Sequence, residues 1–388
     1  MEVFIIKKEQ TTLLIIVVFF WFAQYVYIPF QTPFLASMNV ATSFIGIIVG
    51  AYGISQMVLR IPVGVIADLR PNHKRLIEIG TLLAGVASLF RFFLPNAIGF
   101  LIGNVLSGFA SATWISFMVY FMSLHDGFNQ GSATAKIIMA NNMGILLGFL
   151  TSSLFYNHLG MRYICLLSII AGLIGFAIST RLENSQPVSE QHTVGELLRV
   201  GLNGKLLLFA CLALIQQGIQ MAATMSFTNQ VIASMGASGL EVGLSSIIYM
   251  LSAVTFSKLA SMSNFNQKKT AATVILSFAL LAAYCFFIPL APSILLIFLL
   301  QVIPGVGTGI LFSLLTSEAM ASIPDSKKSS AMGIFQAIYA IGMTLLPILV
   351  GILSNSYNMK ISFWVMSLLA ITGVIVSIVY YLMSTNKK

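Results

Sequence analysis

The sequence predicts an all-α integral membrane protein with twelve transmembrane helices in two pseudo-symmetric six-helix bundles. Three observations carry that prediction: the composition, the recurrence of apolar runs of one length, and the sidedness of the basic residues. Of 388 residues, 58% are hydrophobic and 8% are charged. Soluble proteins carry about a quarter charged residues, because a water-facing surface needs them. A chain this long with so few charges must present its exterior to something apolar.

A bilayer-spanning helix needs ~20 mostly apolar residues. Such runs fall at 11–36, 43–67, 75–94, 97–122, 133–156, 162–181, 205–232, 241–261, 269–289, 293–321, 330–354 and 361–384. The first run exceeds the 7–15 residues of a signal-peptide core, so it reads as a membrane helix. Breaker-rich gaps separate the runs, such as Pro71, Asn72 and His73, or Pro324, Asp325 and Ser326.

With the N-terminus in the cytoplasm, alternating sides place seventeen Lys and Arg at the cytoplasmic face and three outside (Arg91, Arg162 and Lys360). A miscounted helix would spoil this bias, which follows the positive-inside rule. Both termini are therefore placed in the cytoplasm. The short polar segments and lack of processing signals point to a bacterial-type cytoplasmic membrane. Arg91 is read as snorkelling outward, and Arg60 as reaching the cytoplasm along its stem.

The longest polar stretch, Arg181 to Lys205, lies midway. It sets the expected organisation: a first bundle at 1–182, a cytoplasmic linker at 183–204 and a second bundle at 205–388. Within the linker, the run from Thr193 to Val200 suits a short interfacial helix. Faint internal similarity supports repeated halves: Ser132, Ala133 and Gly144 match Ser330, Ala331 and Gly342, and Ser107 and Gly108 resemble Pro304 and Gly305. Repeated halves about a midplane site are a transporter architecture.

The net charge of +9 does not indicate nucleic acid, because the basic residues sit in short gaps between apolar runs. Cys165, Cys211 and Cys285 are scattered through apolar runs and read as small hydrophobes, without a disulfide or metal framework. The four histidines (His73, His125, His158 and His192) are spread over separate loops, which argues against a membrane enzyme. No loop is long enough for a receptor's soluble domain. No catalytic constellation, cofactor site or metal site is predicted. The glycines at 305, 307 and 309 lie inside an apolar span and are not a nucleotide loop.

The loop after the second span runs Gly64-Val-Ile-Ala-Asp68-Leu-Arg70-Pro71-Asn72-His73-Lys74-Arg75. It resembles the G-x-L-A-D-R-x-G-R-R/K signature of the major facilitator superfamily, with Pro71 or Asn72 where the second glycine stands. Arg60, Pro62 and Gly64 upstream also resemble that family. So do Asp325 to Gln336, followed by Gly342 and Pro347, and the Gly160-Met-Arg162 turn. The resemblance covers nearly the whole chain in layout and implies the fold above. It also implies that Asp68 faces the start of the eleventh helix and latches the halves, with Arg70, Lys74 or Arg75 pairing Asp126. Solvated loop charges are the alternative reading. The chain departs from the pattern of proton-coupled exporters at Asn104, where many carry Arg, and at Phe149, where a proline is absent.

Polar residues within spans are the substrate-cavity candidates: Gln24, Tyr27 and Gln31; Asn104; Asn141 and Asn142; Gln216 and Gln220; Gln336 and Tyr339. An unpaired amide is costly in lipid, so these faces should point inward. They read either as lining for a neutral or amphipathic solute that accepts hydrogen bonds, or as glue between helices. Glu318 and Arg60 are the charges considered for ion coupling, with a gate or structural role as the alternative for Glu318. The predicted function is secondary transport of a small organic or amphipathic solute by a monomer, in the direction of export. Protons or another coupling ion are potential partners alongside membrane lipid. Uptake or facilitated diffusion of a metabolite, and lipid flipping, stay open.

Overall fold

The computed structural model describes residues 2–69, 72–124, 130–183, 193–262, 267–324 and 327–385. Every regular element among them is helical. Eleven segments are long and apolar enough to cross a membrane: Lys8–Ser37, Thr42–Ala67, His73–Phe93, Ala97–Ser123, Lys136–Ser179, Gly204–Ser234, Gly239–Ala260, Gln267–Leu290, Ile294–Met320, Ser330–Ser356 and Met359–Met383.

One of these differs from the pattern of apolar runs. Lys136–Ser179 has 44 residues, about 66 Å if straight, twice the ~30 Å of a hydrocarbon core. It is not straight. Gly144 lies against Val18 and Gly175 lies against Phe19, so positions about 46 Å apart on a straight helix meet one turn of the first segment. The chain reverses at Gly160, whose φ of 73° and ψ of 171° are non-helical. Only glycine occupies that region without strain, because it has no Cβ.

The chain divides into two compact units. The first comprises Met1–Ile28, Ala51–Asn203 and Ile323–Ala337; the second comprises Pro29–Gly50, Gly204–Ser322 and Ile338–Lys388. In the first, Glu2–Tyr25 packs along both arms of the Gly160 hairpin, and His73–Phe93 packs on the hairpin and on Ala97–Ala112. Edge-on contacts between Trp21 and Trp114, 5.2 Å between centroids, belong to its aromatic core. In the second, Gln267–Phe287 packs on Met359–Thr385, Gly239–Met262 on Val302–Val306, and Gly204–Ile219 on Phe312–Met320.

Several helices are irregular where polar residues concentrate. The first segment is interrupted by a turn at Val26 and Tyr27, just before Pro29, which offers no backbone N–H to a continuing helix. Gln220–Phe227 and Gly307–Leu311 are π-helical, a geometry that recurs at functional sites. The short helix Val194–Arg199 is opened by a capping box: the Glu196 N–H donates to Thr193 Oγ1, and Glu196 Oε2 accepts from the Thr193 N–H. Cys165 and Cys285 are buried, whereas Cys211 is exposed.

Candidate functional site

An internal repeat organises the polar interior of each unit. In the first, Tyr52 Oη lies 2.7 Å from Ser111 Oγ. In the second, Tyr249 Oη lies 3.0 Å from Thr308 Oγ1. Gly108 packs on the Ser55 side chain, and Gly305 packs on Ser252. Each equivalent pair is 197 positions apart in the chain. The glycines let two backbones approach where any Cβ would clash, which is how membrane helices associate without a hydrophobic driving force.

Two polar clusters occupy the first unit. One centres on Arg91, which is 0% exposed. The expectation that Arg91 snorkels outward is therefore wrong: its stem points into the helix packing, not along it. The guanidinium donates to Ser88 Oγ at 2.9 Å, Asn104 Oδ1 at 2.9 Å and Ser107 Oγ at 2.8 Å. It also stacks on the Tyr27 ring, 3.9 Å from the centroid. All these partners are neutral. A cation in this setting costs at least ~2.5–3.5 kcal/mol on insertion scales, which charge-assisted hydrogen bonds of ~1.5–3 kcal/mol each offset. Close by, Gln24 Nε2 donates to the Ser107 carbonyl and to Ser111 Oγ. Facing a carbonyl fixes the amide's orientation, so Oε1 is the end left unpaired.

The second cluster is a column along Thr42–Leu69. Tyr52, Gln56 and Arg60 recur every four residues, hence on one helix face, and all are buried. Tyr52 shares Ser111 with Gln24. Arg60 Nη1 donates to the Gln336 carbonyl at 3.2 Å, and Arg60 is buried, so its long stem does not carry the charge out to the protein surface. Between them, Gln56 is 0% exposed and neither end of its amide has a partner. Gln336 Oε1 is likewise without a hydrogen-bond partner. Each such atom costs roughly 1–3 kcal/mol, so the column is a concentration of unmet hydrogen-bonding capacity.

In the second unit, Tyr284 Oη lies 2.8 Å from Thr228 Oγ1 and donates to Gln301 Oε1 at 3.2 Å. Gln301 Nε2 donates to Ser245 Oγ at 2.7 Å. Gln216 Nε2 donates to Gln220 Oε1 at the start of the π-helix, while Gln216 Oε1 and Thr224 Oγ1 are buried and unpaired. Gln31 is buried with Oε1 unpaired, and its neighbour Thr32 donates to the Ser226 carbonyl at 2.6 Å. Tyr339 is buried, edge-on to Phe312. Asn141 and Asn142 are half-buried and stand outside these networks.

Of the latch candidates, the Asp68 side chain, Arg70 and Asp126 lie outside the described residues. A Cβ built at Gly64 would lie 3.7 Å from the Ile115 side chain. Lys74 lies 4.0 Å from Glu78, one turn along its own helix, and Arg75 is exposed. Glu318 pairs with Lys205 at 2.7 Å, tying two helices of the second unit. Tyr52, Gln56 and Gln301 escaped the sequence reading, and Arg91 and Ser107 entered it only as an outer charge and a repeat position, although the four-residue spacing of Tyr52, Gln56 and Arg60 was there to see.

No group of three His, Cys, Asp or Glu able to hold a metal occurs among the described residues. The arrangement offers amides, hydroxyls and two buried guanidinium groups, suited to binding polar solutes.

The chain is 22% identical to an uncharacterized MFS-type transporter of Methanocaldococcus jannaschii, over 91% of this chain and 92% of that one. It is 22% identical to the proton-coupled antiporter flippase LtaA of Staphylococcus haemolyticus, over 74% of this chain and 72% of that one. Its fold matches the crystal structure of a mutant of the nucleoside transporter NupG, with a TM-score of 0.70 at 15% identity, over 96% of this chain and 99% of that one. A family model described as Major Facilitator Superfamily matches residues 13–230 and 206–388. The chain is a multi-pass membrane protein and belongs to the Major Facilitator Superfamily.

Proposed function

We propose that this chain is a secondary transporter that moves a small organic or amphipathic solute across the cytoplasmic membrane by alternating access. The reading takes twelve spans, counting Lys136–Ser179 as two about Gly160, in two six-helix bundles joined by the 183–204 linker, with both termini cytoplasmic. The observation that carries it is the column from Gln24 through Tyr52 and Gln56 to Arg60 and Gln336. A bundle has no structural use for an amide with both ends buried and unpaired, as in Gln56, whereas a solute site has one. Within the first unit, the unpaired ends of Gln24 and Gln336 are both carbonyl oxygens. This favours a solute that donates hydrogen bonds, the opposite polarity to the sequence-based expectation.

Export is the proposed direction, supported by the exporter-like stretch Arg60 to Gly64 and by Gly144 and Gly148 packing on the first segment. Glu318, held by Lys205, acts as a structural pair; Arg60 acts at the solute column. The Asp68 loop works as the latch between bundles, and the protein acts as a monomer. Lipid flipping is the second reading, favoured by the similarity to the flippase LtaA.

Proteoliposomes holding the purified chain, challenged with a metabolite and drug panel and with fluorescent lipids, test both. Counterflow of a soluble compound supports the first reading, and bilayer redistribution of a lipid the second. An inert protein across the panel refutes both. Imposing a pH gradient identifies coupling: transport indifferent to it marks a uniporter.

A further inference from the structure

Arg91 carries a charge that its fold does not require. The repeat allows a direct comparison. Asn104, which accepts from Arg91, has Gln301 as its counterpart 197 positions on. Gln301 is met by the neutral Tyr284, on the helix Gln267–Phe287. The second unit therefore ties the same place with a phenol and needs no cation. In the first unit the same tie is made by a guanidinium with no exposure and, among the described residues, no carboxylate partner.

The guanidinium is also incompletely used. Arginine has five N–H donors. Three are committed, to Ser88, Asn104 and Ser107, and Nε is buried without an acceptor. Gly103 bounds that edge: a Cβ there would lie 2.7 Å from Nε. On the ring side the cover is Tyr27, seated in the turn that interrupts the first segment, with its hydroxyl 3.4 Å from Ser107 Oγ and its ring stacked on the guanidinium. A side chain in a helix break can swing without unwinding regular helix, and the same ring that shields the charge is the one able to uncover it.

We propose that Arg91 is the anchor for an anionic oxygen group of the transported solute, a phosphate or carboxylate, and that Tyr27 is the lid that covers it in the unloaded state. The spare N–H donors meet the anion, whose charge replaces the missing counter-ion; Arg is suited to such oxyanions by its planar donor fork. With the hydroxyl-donating character inferred above, the solute is a phosphorylated or carboxylated polyol, either free or as a lipid headgroup. The proposal rests on the transport reading, but its test is an equilibrium measurement that needs no transport.

The full-length protein in nanodiscs is titrated with glycerol 3-phosphate, with gluconate and with uncharged glycerol, following its thermal unfolding. A parallel series replaces phosphatidylcholine discs with phosphatidylglycerol discs. Stabilisation by a soluble anion but not by glycerol identifies a free solute; stabilisation by phosphatidylglycerol alone identifies a headgroup. Arg91→Gln should weaken that response at least tenfold, and Arg91→Lys should retain part of it. Tyr27→Leu, which removes the lid and leaves the anchor, should bind the anion several-fold more tightly, and keeps the test decisive if Arg91→Gln does not fold. No response to any anion in the wild-type protein, or responses unchanged in Arg91→Gln, or weakened binding in Tyr27→Leu, overturns the proposal. Transport that proceeds with solutes lacking any anion, while these bind nothing, would remove the anchor and leave the transport reading intact.

Discussion

The Tyr52 hydroxyl lies 2.7 Å from Ser111 Oγ, and the same contact recurs 197 residues later between Tyr249 and Thr308 at 3.0 Å. Each bond joins a helix pair whose backbones approach at a glycine, Gly108 or Gly305. Replacing one partner of such a bond costs ~0.5–1.5 kcal/mol. Tyr52→Phe and Tyr249→Phe should each lower the unfolding temperature in detergent by a similar small amount. The two residues share no partner, so their effects should add within ~0.5 kcal/mol in the double variant. Strong non-additivity would show that the two contacts do not act as independent ties.

Gly160 supports a second prediction, because its strain and its packing are separable. Nothing lies within 4 Å of a Cβ built there, yet its φ is +73°. Gly160→Ala should therefore cost about 1–3 kcal/mol through the backbone alone. Gly204→Ala is the matched control, since its Cβ also meets open space and its φ is ordinary. The temperature of thermal inactivation should fall for the first variant and hold for the second. Equal behaviour of the two would mean that the reversal does not depend on glycine.

The helical segments were legible because each is a run of apolar residues long enough to satisfy its own backbone in lipid. The Gly160 hairpin was legible as a turn, though its backbone stays helical up to a single residue. Burial of the interior charges was not legible. Hydropathy places Arg91 near a helix end but does not say which way the stem points, and that is set by small neighbours such as Gly103 on another helix. The column of Tyr52, Gln56 and Arg60 shows the reverse case. Its four-residue spacing is in the chain, as is the repeat of Tyr52 and Ser55 at Tyr249 and Ser252. What the spacing lacks is the identity of the facing groups, Ser111 and the Gln336 carbonyl.

Glu318 and Lys205 lie 2.7 Å apart with side chains 24% and 30% exposed. A partly solvated pair of this kind is worth ~0–1 kcal/mol. Glu318→Gln should lower stability by no more than that, and transport should keep whatever response to an imposed pH gradient the wild type shows. Loss of that response, with the protein still folded and transporting, would make Glu318 the coupling acid instead.

Gln56 gives the sharpest separation between a structural residue and a site residue. A packed polar side chain contributes its hydrogen bonds, so removing it lowers stability. Gln56 has none to lose: both amide atoms are buried and unpaired. Gln56→Leu keeps a similar volume and relieves the unmet donor and acceptor, so the unfolding temperature should hold or rise, by the equivalent of about 1 kcal/mol. Solute binding should weaken tenfold or more if the amide serves the solute, because a site lacking a hydrogen-bonding group it was built to supply discriminates strongly. The two measurements are made on one preparation, unfolding temperature in detergent and solute counterflow in proteoliposomes. Greater stability with impaired counterflow is the expected pair. A destabilised variant would mean that Gln56 is structural, and a stabilised variant with wild-type counterflow would remove the column from the solute path.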